Sequence, residues 1–484
     1  MQTNSVNLTY PQGFQTDPIK TKCSMKEKVI DFGNEKVSVL FKKLFFPTVL
    51  GMLSMSAVTT IDGIFVGHGV GSDGIAAVNI CVPLLMVLMG VGLMIGAGCS
   101  VIASIHLSKG KNSLARACIT QAMLFVTLIS IIVGALILII PEKIAYLLGA
   151  SEHLLPMVVD YLIWFSPSLL FELWIAVALF AMRLDGAPKL AMWCSIIAAM
   201  VNVVLDWLFI FPFGWGVMGA AFATSISCLI GASVAIVYLL FYARNTRLHS
   251  LRLDGRGLMF FFRNIITQCK IGSSALLGEL TMAVLLFIGN HVFMRHLGDD
   301  GVGAFGVSCY YLPFVFMIGN AIAQSAQPII SSNFGAESKE RVHSALRVSL
   351  AAAFICGIIS TVAFILFPEL LVGLFLRIDN AAARIAIEGF PFYGVGFIFF
   401  ILNLSIIGYY QSIERVKPAI TFAILRGFIF LVPCFMILPD IMGVKGIWLA
   451  LPLSEILTSL LIVAAFWMHS PKYMMPIHKT EASK

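Results

Sequence analysis

Charge is scarce in this sequence. Of its 484 residues only 12% are Asp, Glu, Lys or Arg, whereas 59% are hydrophobic, and a soluble globular domain carries about 25% charged residues. The catalytic spacings HExxH and GxSxG and the phosphate-binding P-loop are also missing. These absences argue against a soluble protein and against an enzyme of those classes, and they predict no cofactor.

Patterns typical of metal sites and disulfides are missing as well. The ten cysteines show no CxxC spacing, and most of them fall inside apolar segments. Their expected role is that of small packing residues, so no metal site is predicted. Residues 1–36 are polar and contain no early apolar run, so we expect no cleavable signal peptide.

Long apolar segments, in contrast, are abundant. A helix needs about 20 apolar residues to cross a bilayer, and in the hydrocarbon layer a helix satisfies its own backbone hydrogen bonds. The sequence therefore predicts an all-α polytopic membrane protein with twelve transmembrane helices, which we number as spans 1 to 12. The predicted spans cover residues 44–67, 75–107, 117–141, 155–182, 190–212, 217–241, 271–294, 303–332, 348–368, 389–413, 418–439 and 446–470.

The basic residues predict how the spans are oriented, because Lys and Arg concentrate in cytoplasmic loops. Placing the N-terminus inside leaves most of the 32 Lys and Arg residues on the cytoplasmic side. The outer side keeps Lys143, Arg295, Arg377, Arg384 and Lys445. Both termini are therefore predicted to be cytoplasmic. The net charge of +7 then reflects topology and contact with anionic membrane lipid, and it requires no nucleic acid partner.

The spans divide into two halves of six, with the longest inner connection between them. Four segments recur in the same order: residues 61–83 resemble 288–313, 108–123 resemble 333–348, 185–196 resemble 414–425, and 216–223 resemble 443–450. Two parallel six-helix bundles around a central cavity are a transporter architecture. The predicted domains are an N-terminal tail (1–40), an N-lobe (41–242), a cytoplasmic linker (243–270), a C-lobe (271–470) and a C-terminal tail (471–484).

Acidic residues inside the spans are the first candidates for function, because an ionisable group there costs about 2.5–3.5 kcal/mol on insertion scales. These residues are Asp62, Glu172, Asp206, Glu279 and Glu455. Asn202 and Asp206 are four residues apart and would share a helix face, where the amide could donate to a carboxylate on another helix. A carboxylate buried beside a second one is expected to take up a proton near neutral pH. Interfacial positions for Asp62 and Asp206, and a structural pairing for Glu172, stay open.

Other polar residues of the spans have both a structural and a functional explanation. Arg426 in span 11 is expected to snorkel or to pair with Glu455. Asn320, Gln324 and Gln327 follow helical spacing in span 8 and form a stripe, which either lines the cavity or hydrogen-bonds neighbouring helices. The 22 Met and 38 Phe residues would suit a cavity that accepts varied flat, apolar cations.

The sequence resembles the multidrug and toxic compound extrusion (MATE) transporters from about residue 40 to residue 470. The resemblance rests on TTIDGIFVGHGVGSDGIAA at the end of span 1, RLDGAPKLAM after span 4 and NVVLDWLFIFPFGWGVMGAAFATSIS across spans 5 and 6. It is strongest to the bacterial DinF-type branch, in which an aspartate of span 1 is linked to an Asn and an Asp of span 5 and a Thr of span 6. The matching residues are Asp62, Asn202, Asp206 and Thr224.

A second branch of that family, the NorM type, also uses an acidic residue of span 7, which Glu279 matches. Its span 10 aspartate has no counterpart, since residues 389–413 contain no acid. The resemblance thus implies export of cationic amphipathic drugs in exchange for protons, or for sodium ions, with coupling in the N-lobe. It also implies a multi-pass protein of the bacterial inner membrane, for which a monomer suffices.

Two other functions stay open from the sequence. A flippase for lipid-linked saccharides would present several cationic residues to its cavity to hold phosphate, and the spans are poor in Lys and Arg. A membrane-embedded enzyme would need a catalytic motif. The lone GxGxxG at residues 69–74 follows a predicted helix rather than a strand, so we interpret it as a turn.

Overall fold

The computed structural model describes residues 30–249 and 255–468, and within these ranges the chain forms helices and no β-strand. Eleven helices are long and apolar enough to cross a membrane, and a twelfth span consists of two helices that meet at a bend of 47°. The spans run Val37–Gly69, Asp73–Ser108, Asn112–Ile139, Leu155–Leu184, Pro188–Ile210, Gly216–Tyr242, Gly257–Gly298, Asp300–Gly335, Lys339–Leu366, Ala381–Gly394 with Gly396–Ser412, Val416–Met442 and Val444–Phe466. The predicted all-α fold with twelve spans is confirmed.

Spans 1 and 7 are longer than the apolar segments that predict them. Span 1 begins at Val37, and span 7 begins at Gly257, within the residues assigned to the linker. Charged residues such as Lys42 and Lys43 lower the local hydropathy, but they are exposed on the helix surface. A helix satisfies its backbone internally, so these two spans continue past the apolar stretch that the sequence reveals.

Local backbone geometry repeats between the two halves. Gly71 and Gly298 each close the turn between the first two spans of a half, with φ of 95° and 63°. Gly216 and Gly443 stand at the start of span 6 and just before span 12, with φ of 58° and 63°. The residues of each pair are the same distance apart in the sequence. Positive φ favours glycine, so these equivalent turns account for part of the sequence repeat, and Gly71 confirms the turn in the GxGxxG segment.

Buried apolar side chains form two large clusters, and the first span of each half begins in the cluster of the other half. Val37 and Leu44 at the start of span 1 are buried in the cluster built mainly from spans 7–12. Ile271 in span 7 belongs to the cluster built mainly from spans 2–6. In the same region the side-chain amide of Gln268 donates to the carbonyl of Cys118 at 3.3 Å. Spans 1 and 7 therefore cross from one bundle to the other.

The two bundles meet in the half of the molecule where span 1 begins. Their backbones approach so closely that a Cβ on Gly98 would overlap the carbonyl of Gln268, and one on Gly272 would overlap the carbonyl of Met94. The hydrogen bonds that join the bundles among the described residues all lie in this half. The central cleft is therefore closed at this end.

Candidate functional site

The structure brings three of the predicted coupling residues together in the first bundle. Span 1 places Asp62 against Asp206 of span 5, with the two carboxyl groups within hydrogen-bonding distance. Asp206 is fully buried, and the amide of Asn202 donates to its Oδ2 at 3.2 Å. The predicted spacing of Asn202 and Asp206 is thus borne out, although the amide serves a carboxyl on its own helix rather than on another.

The Asp62 and Asp206 side chains have no basic partner in the part of the chain that the structure describes. None of the salt bridges among the described residues involves either carboxyl, and the Oδ1 atoms of both are buried without a donor. Two carboxylates in contact repel each other, whereas one proton between them supplies the missing donor. The arrangement is therefore suited to hold a single exchangeable positive charge.

Thr224, the fourth coupling candidate, does not join this pair. Its hydroxyl donates to the carbonyl of Ala220 in span 6 at 3.1 Å, as serine and threonine hydroxyls commonly do inside helices. No hydrogen bond among the described residues links it to Asp62 or Asp206. Its role in coupling stays a prediction.

Span 4 contributes a third acid and a tyrosine to the first bundle. Glu172 in span 4 is partly exposed and forms no hydrogen bond among the described residues. Tyr161, about three helical turns earlier in the same span, lies within electrostatic reach of Asp62, Glu172 and Asp206. Sequence reasoning missed Tyr161, because a single tyrosine in an apolar span has no distinctive pattern. The first bundle therefore holds a third carboxyl group and a phenol in addition to the Asp62–Asp206 pair.

The polar stripe of span 8 combines both of its predicted roles. Asn320, Gln324 and Gln327 line a small cavity of about 50 Å³ between the bundles. The amide of Gln327 also donates to the carbonyl of Ala97 at 2.8 Å and thereby joins span 8 to span 2. Glu279 of span 7 lies nearby against span 2 and is 8% exposed, with no hydrogen bond among the described residues.

Arg183 near the C-terminal end of span 4 was not expected to be part of this region. It is 5% exposed, its Nη1 donates to Gln324 Oε1 at 2.7 Å, and its guanidinium lies 5.4 Å from the ring of Phe180. The sequence offered only a basic residue at a span end, which the positive-inside rule assigns to a loop. A buried cation therefore contacts an amide and an aromatic ring, Gln324 and Phe180, that both line the cavity.

The second bundle contains a buried charge network of a different kind. Arg426 in span 11 donates from Nε and Nη2 to Glu455 Oε1 at 2.9 and 2.7 Å, which confirms the predicted pairing. Asn403 donates to Glu455 Oε2 at 2.7 Å and accepts from Ser459 at 2.8 Å. The guanidinium also lies 4.4 Å from the ring of Phe400. Each charge in this network is neutralised by another side chain of the protein.

Comparisons with known proteins decide the family. The MatE family model matches the chain twice, over residues 47–208 and again over residues 275–436. This chain is a MATE family transporter. The two matches cover the first five spans of each half, in keeping with the repeat, and membership confirms a multi-pass membrane transporter rather than an enzyme.

Related proteins agree with this assignment. The multidrug export protein MepA of Staphylococcus aureus is 24% identical over 434 residues, which span 87% of this MATE chain and 92% of MepA. MepA of Staphylococcus saprophyticus is 26% identical over 440 residues, with coverage of 88% and 93%. At these identities the branch within the MATE family is not decided, so the DinF-type assignment stays a prediction.

Solved structures show the same fold. An outward-facing multidrug resistance MATE family transporter of the MOP superfamily superposes with a TM-score of 0.83 at 18% identity, over 92% of this chain and 100% of that one. The Vibrio cholerae MATE transporter VcmN gives a TM-score of 0.80 at 18% identity, over 90% and 98%.

Proposed function

We propose that this MATE transporter exports cationic amphipathic compounds in exchange for protons, and that the Asp62–Asp206 pair is the exchange site. The observation that carries the proposal is the contact of the fully buried Asp206 carboxyl with that of the partly exposed Asp62, with no basic side chain bonded to either among the described residues. A proton or a cationic drug can each supply the missing positive charge. If the two compete for this pair, each lowers the affinity of the other by the same factor.

The proposed cycle uses the two ends of the bundle in turn. With both termini cytoplasmic, as the basic residues predict, the end where the bundles meet is the cytoplasmic end of a bacterial inner membrane protein. The conformation described here would then be closed to the cytoplasm. Protonation of the pair from outside displaces the drug outward, and the proton leaves on the inside after the cleft has reversed. A single chain contains all of these groups.

The second bundle is proposed to take a smaller part in coupling. Glu455 already has Arg426 as a permanent counter-charge, so it offers no site to a passing cation. Glu279 faces the other bundle and has no hydrogen-bond or salt-bridge partner among the described residues. We propose that it contacts substrate in the cavity together with Asn320, Gln324 and Gln327. Sodium in place of protons is the second candidate for the coupling ion, because carboxylate oxygens suit hard cations.

The test is ethidium efflux from everted membrane vesicles, with a proton gradient and a sodium gradient imposed separately. We expect the wild type to transport under the proton gradient alone and Asp62→Asn to lose at least about 99% of that rate. Asp160→Asn is the matched control, since Asp160 is exposed on span 4 and forms no ion pair among the described residues. Efflux driven by the sodium gradient alone would show that sodium, and not the proton, is the coupling ion. Full activity of Asp62→Asn would refute the exchange site.

A further inference from the structure

A short segment before span 1 touches both bundles at the closed end. Residues 30–36, which we call the strap, run directly into span 1 at Val37. The side chain of Ile30 packs against the turn between spans 4 and 5, where a Cβ on Gly186 would lie 3.4 Å from the Cβ of Ile30. Phe32 packs against the apolar cluster of the second bundle. The strap therefore bridges the two bundles.

Two residues of the second bundle hold the strap by its backbone. Arg341 at the start of span 9 donates from Nη2 to the carbonyls of Phe32 and Glu35 at 2.8 and 2.7 Å. Asn333 near the end of span 8 donates from Nδ2 to the carbonyl of Phe32 at 3.0 Å. Arg341 Nε in turn donates to Asn333 Oδ1 at 2.8 Å. Arg341 and Asn333 thus form a clamp of mutually oriented donors, and charged donors give the stronger hydrogen bonds.

The strap has a defined shape of its own. Asp31 accepts hydrogen bonds from the amides of Gly33 and Asn34 at 2.9 and 3.2 Å and from the Asn34 side chain at 2.7 Å. The bond from the Asn34 side chain, followed by that from the Gly33 amide, lowers the pKa of the Asp31 carboxyl. Because the pKa is lowered, the stability that the ionised Asp31 gives to the turn is present at neutral pH and is lost only when the pH falls through the lowered pKa. The turn therefore presents the Phe32 and Glu35 carbonyls to the clamp under physiological conditions.

We propose that Arg341 and Asn333 are positioning residues for transport. By binding the strap they hold the bundles together at the closed end, and we call the clamp together with the bound strap the latch. Span 1 links the latch to the proposed exchange site, because the same helix carries the strap at one end and Asp62 further along. Its first turns are buried in the second bundle, whereas Gly51 already packs against Ser195 of span 5. A displacement of span 1 at Asp62 is thus passed to the strap through one continuous helix.

The latch also explains an asymmetry between the crossing spans. Span 7 is held in the first bundle by neutral amides, since Asn264 donates to Gln121 and Gln268 donates to the Cys118 carbonyl. Span 1 is held by a guanidinium on two backbone carbonyls. The charged clamp acts on the helix that carries Asp62. If the closed end is to open in response to protonation of the Asp62–Asp206 pair, the latch must act on this helix.

Hydrogen–deuterium exchange of the full-length protein, without substrate, tests the latch directly. We compare the wild type with Arg341→Ala, Asn333→Ala and Arg341→Lys, and we use Arg347→Ala as the matched control because Arg347 is exposed on the same helix. We expect Arg341→Ala to speed exchange at least about tenfold, both in residues 30–44 and at the bundle contact in residues 97–108 and 327–335. Arg341→Lys should recover part of the protection, since it keeps the charge but not the fork of donors.

Faster exchange confined to the strap, or no change in any clamp variant, would overturn the latch. If Arg341→Ala does not fold, Asn333→Ala and Arg341→Lys decide by the same criterion.

The inference about coupling rests on the proposed function, so efflux is measured as well. Loss of the latch should lower both the maximal rate and the KM for ethidium at the inner face, because the inward-open state becomes more populated. A reduced rate with unchanged KM would indicate a structural role only. Exchange needs no transport, so it still decides about the latch if the wild type exports no ethidium.

Discussion

The two bundles share one fold but treat buried charge in opposite ways. In the first, Asp62 and Asp206 face each other with an amide beside them and no basic partner among the described residues. In the second, Glu455 is bonded to Arg426 and Asn403, and both charged side chains are at most 2% exposed. A buried carboxylate that is already neutralised by a side chain is not stabilised further by binding a cation, whereas a carboxyl pair without a counter-charge is. The same fold thus carries a buried charge pair that is neutralised within the protein in one bundle and a carboxyl pair without such a partner, among the described residues, in the other.

The largest expected effect comes from breaking the closed network of the second bundle. Arg426→Met should destabilise the protein by about 3–5 kcal/mol, because it leaves Glu455 buried without its counter-charge. Adding Glu455→Gln removes the stranded charge and keeps an acceptor for Asn403, so most of the stability should return. Thermal unfolding of the purified variants measures both changes, with Arg347→Ala as a surface control.

The same double variant also tests whether the second bundle takes part in coupling. If the network only supports the fold, Arg426→Met with Glu455→Gln should restore efflux driven by a proton gradient along with stability. A folded double variant that no longer responds to the proton gradient would show that the second bundle takes part in coupling. The division of roles between the bundles would then be wrong.

The smallest expected effect lies in the first bundle, at Thr224. Its hydroxyl is occupied by the carbonyl of Ala220 in its own helix, so Thr224→Val should change the efflux rate by no more than about twofold. Initial rates of ethidium efflux in everted vesicles measure this, with the amount of protein in the membrane as the reference. A tenfold loss would show that Thr224 reaches the carboxyl pair in another conformation of the cycle.

Much of the fold could be predicted because the membrane imposes it. Apolar length alone located the twelve spans, and the repeat followed from four pairs of matching segments. The starts of spans 1 and 7 could not be located in this way, since Lys42 and Lys43 lie on a helix that continues beyond the apolar stretch. Hydropathy locates the part of a helix that lies in the hydrocarbon layer, but not the ends of the helix.

The candidate site was predictable only in part. Helical spacing placed Asn202 and Asp206 on one face, but the contact with Asp62 joins spans far apart in the sequence, and only the family resemblance pointed to it. Arg183 and Arg341 were missed for a common reason. Basic residues at span ends are expected in loops for topological reasons, so a pattern gives no sign that one of them contacts Gln324 or the strap.

The central claim is that a drug and a proton compete for the Asp62–Asp206 pair. Proton release on ethidium binding tests it most directly, measured with a pH indicator in weakly buffered solutions of the purified protein between pH 6 and 8. The account predicts release of up to about one proton per bound ethidium by the wild type and by the Arg426→Met, Glu455→Gln variant, and none by Asp62→Asn or Asp206→Asn. Equal release by the wild type and both aspartate variants, or binding by the wild type without any release, would contradict it.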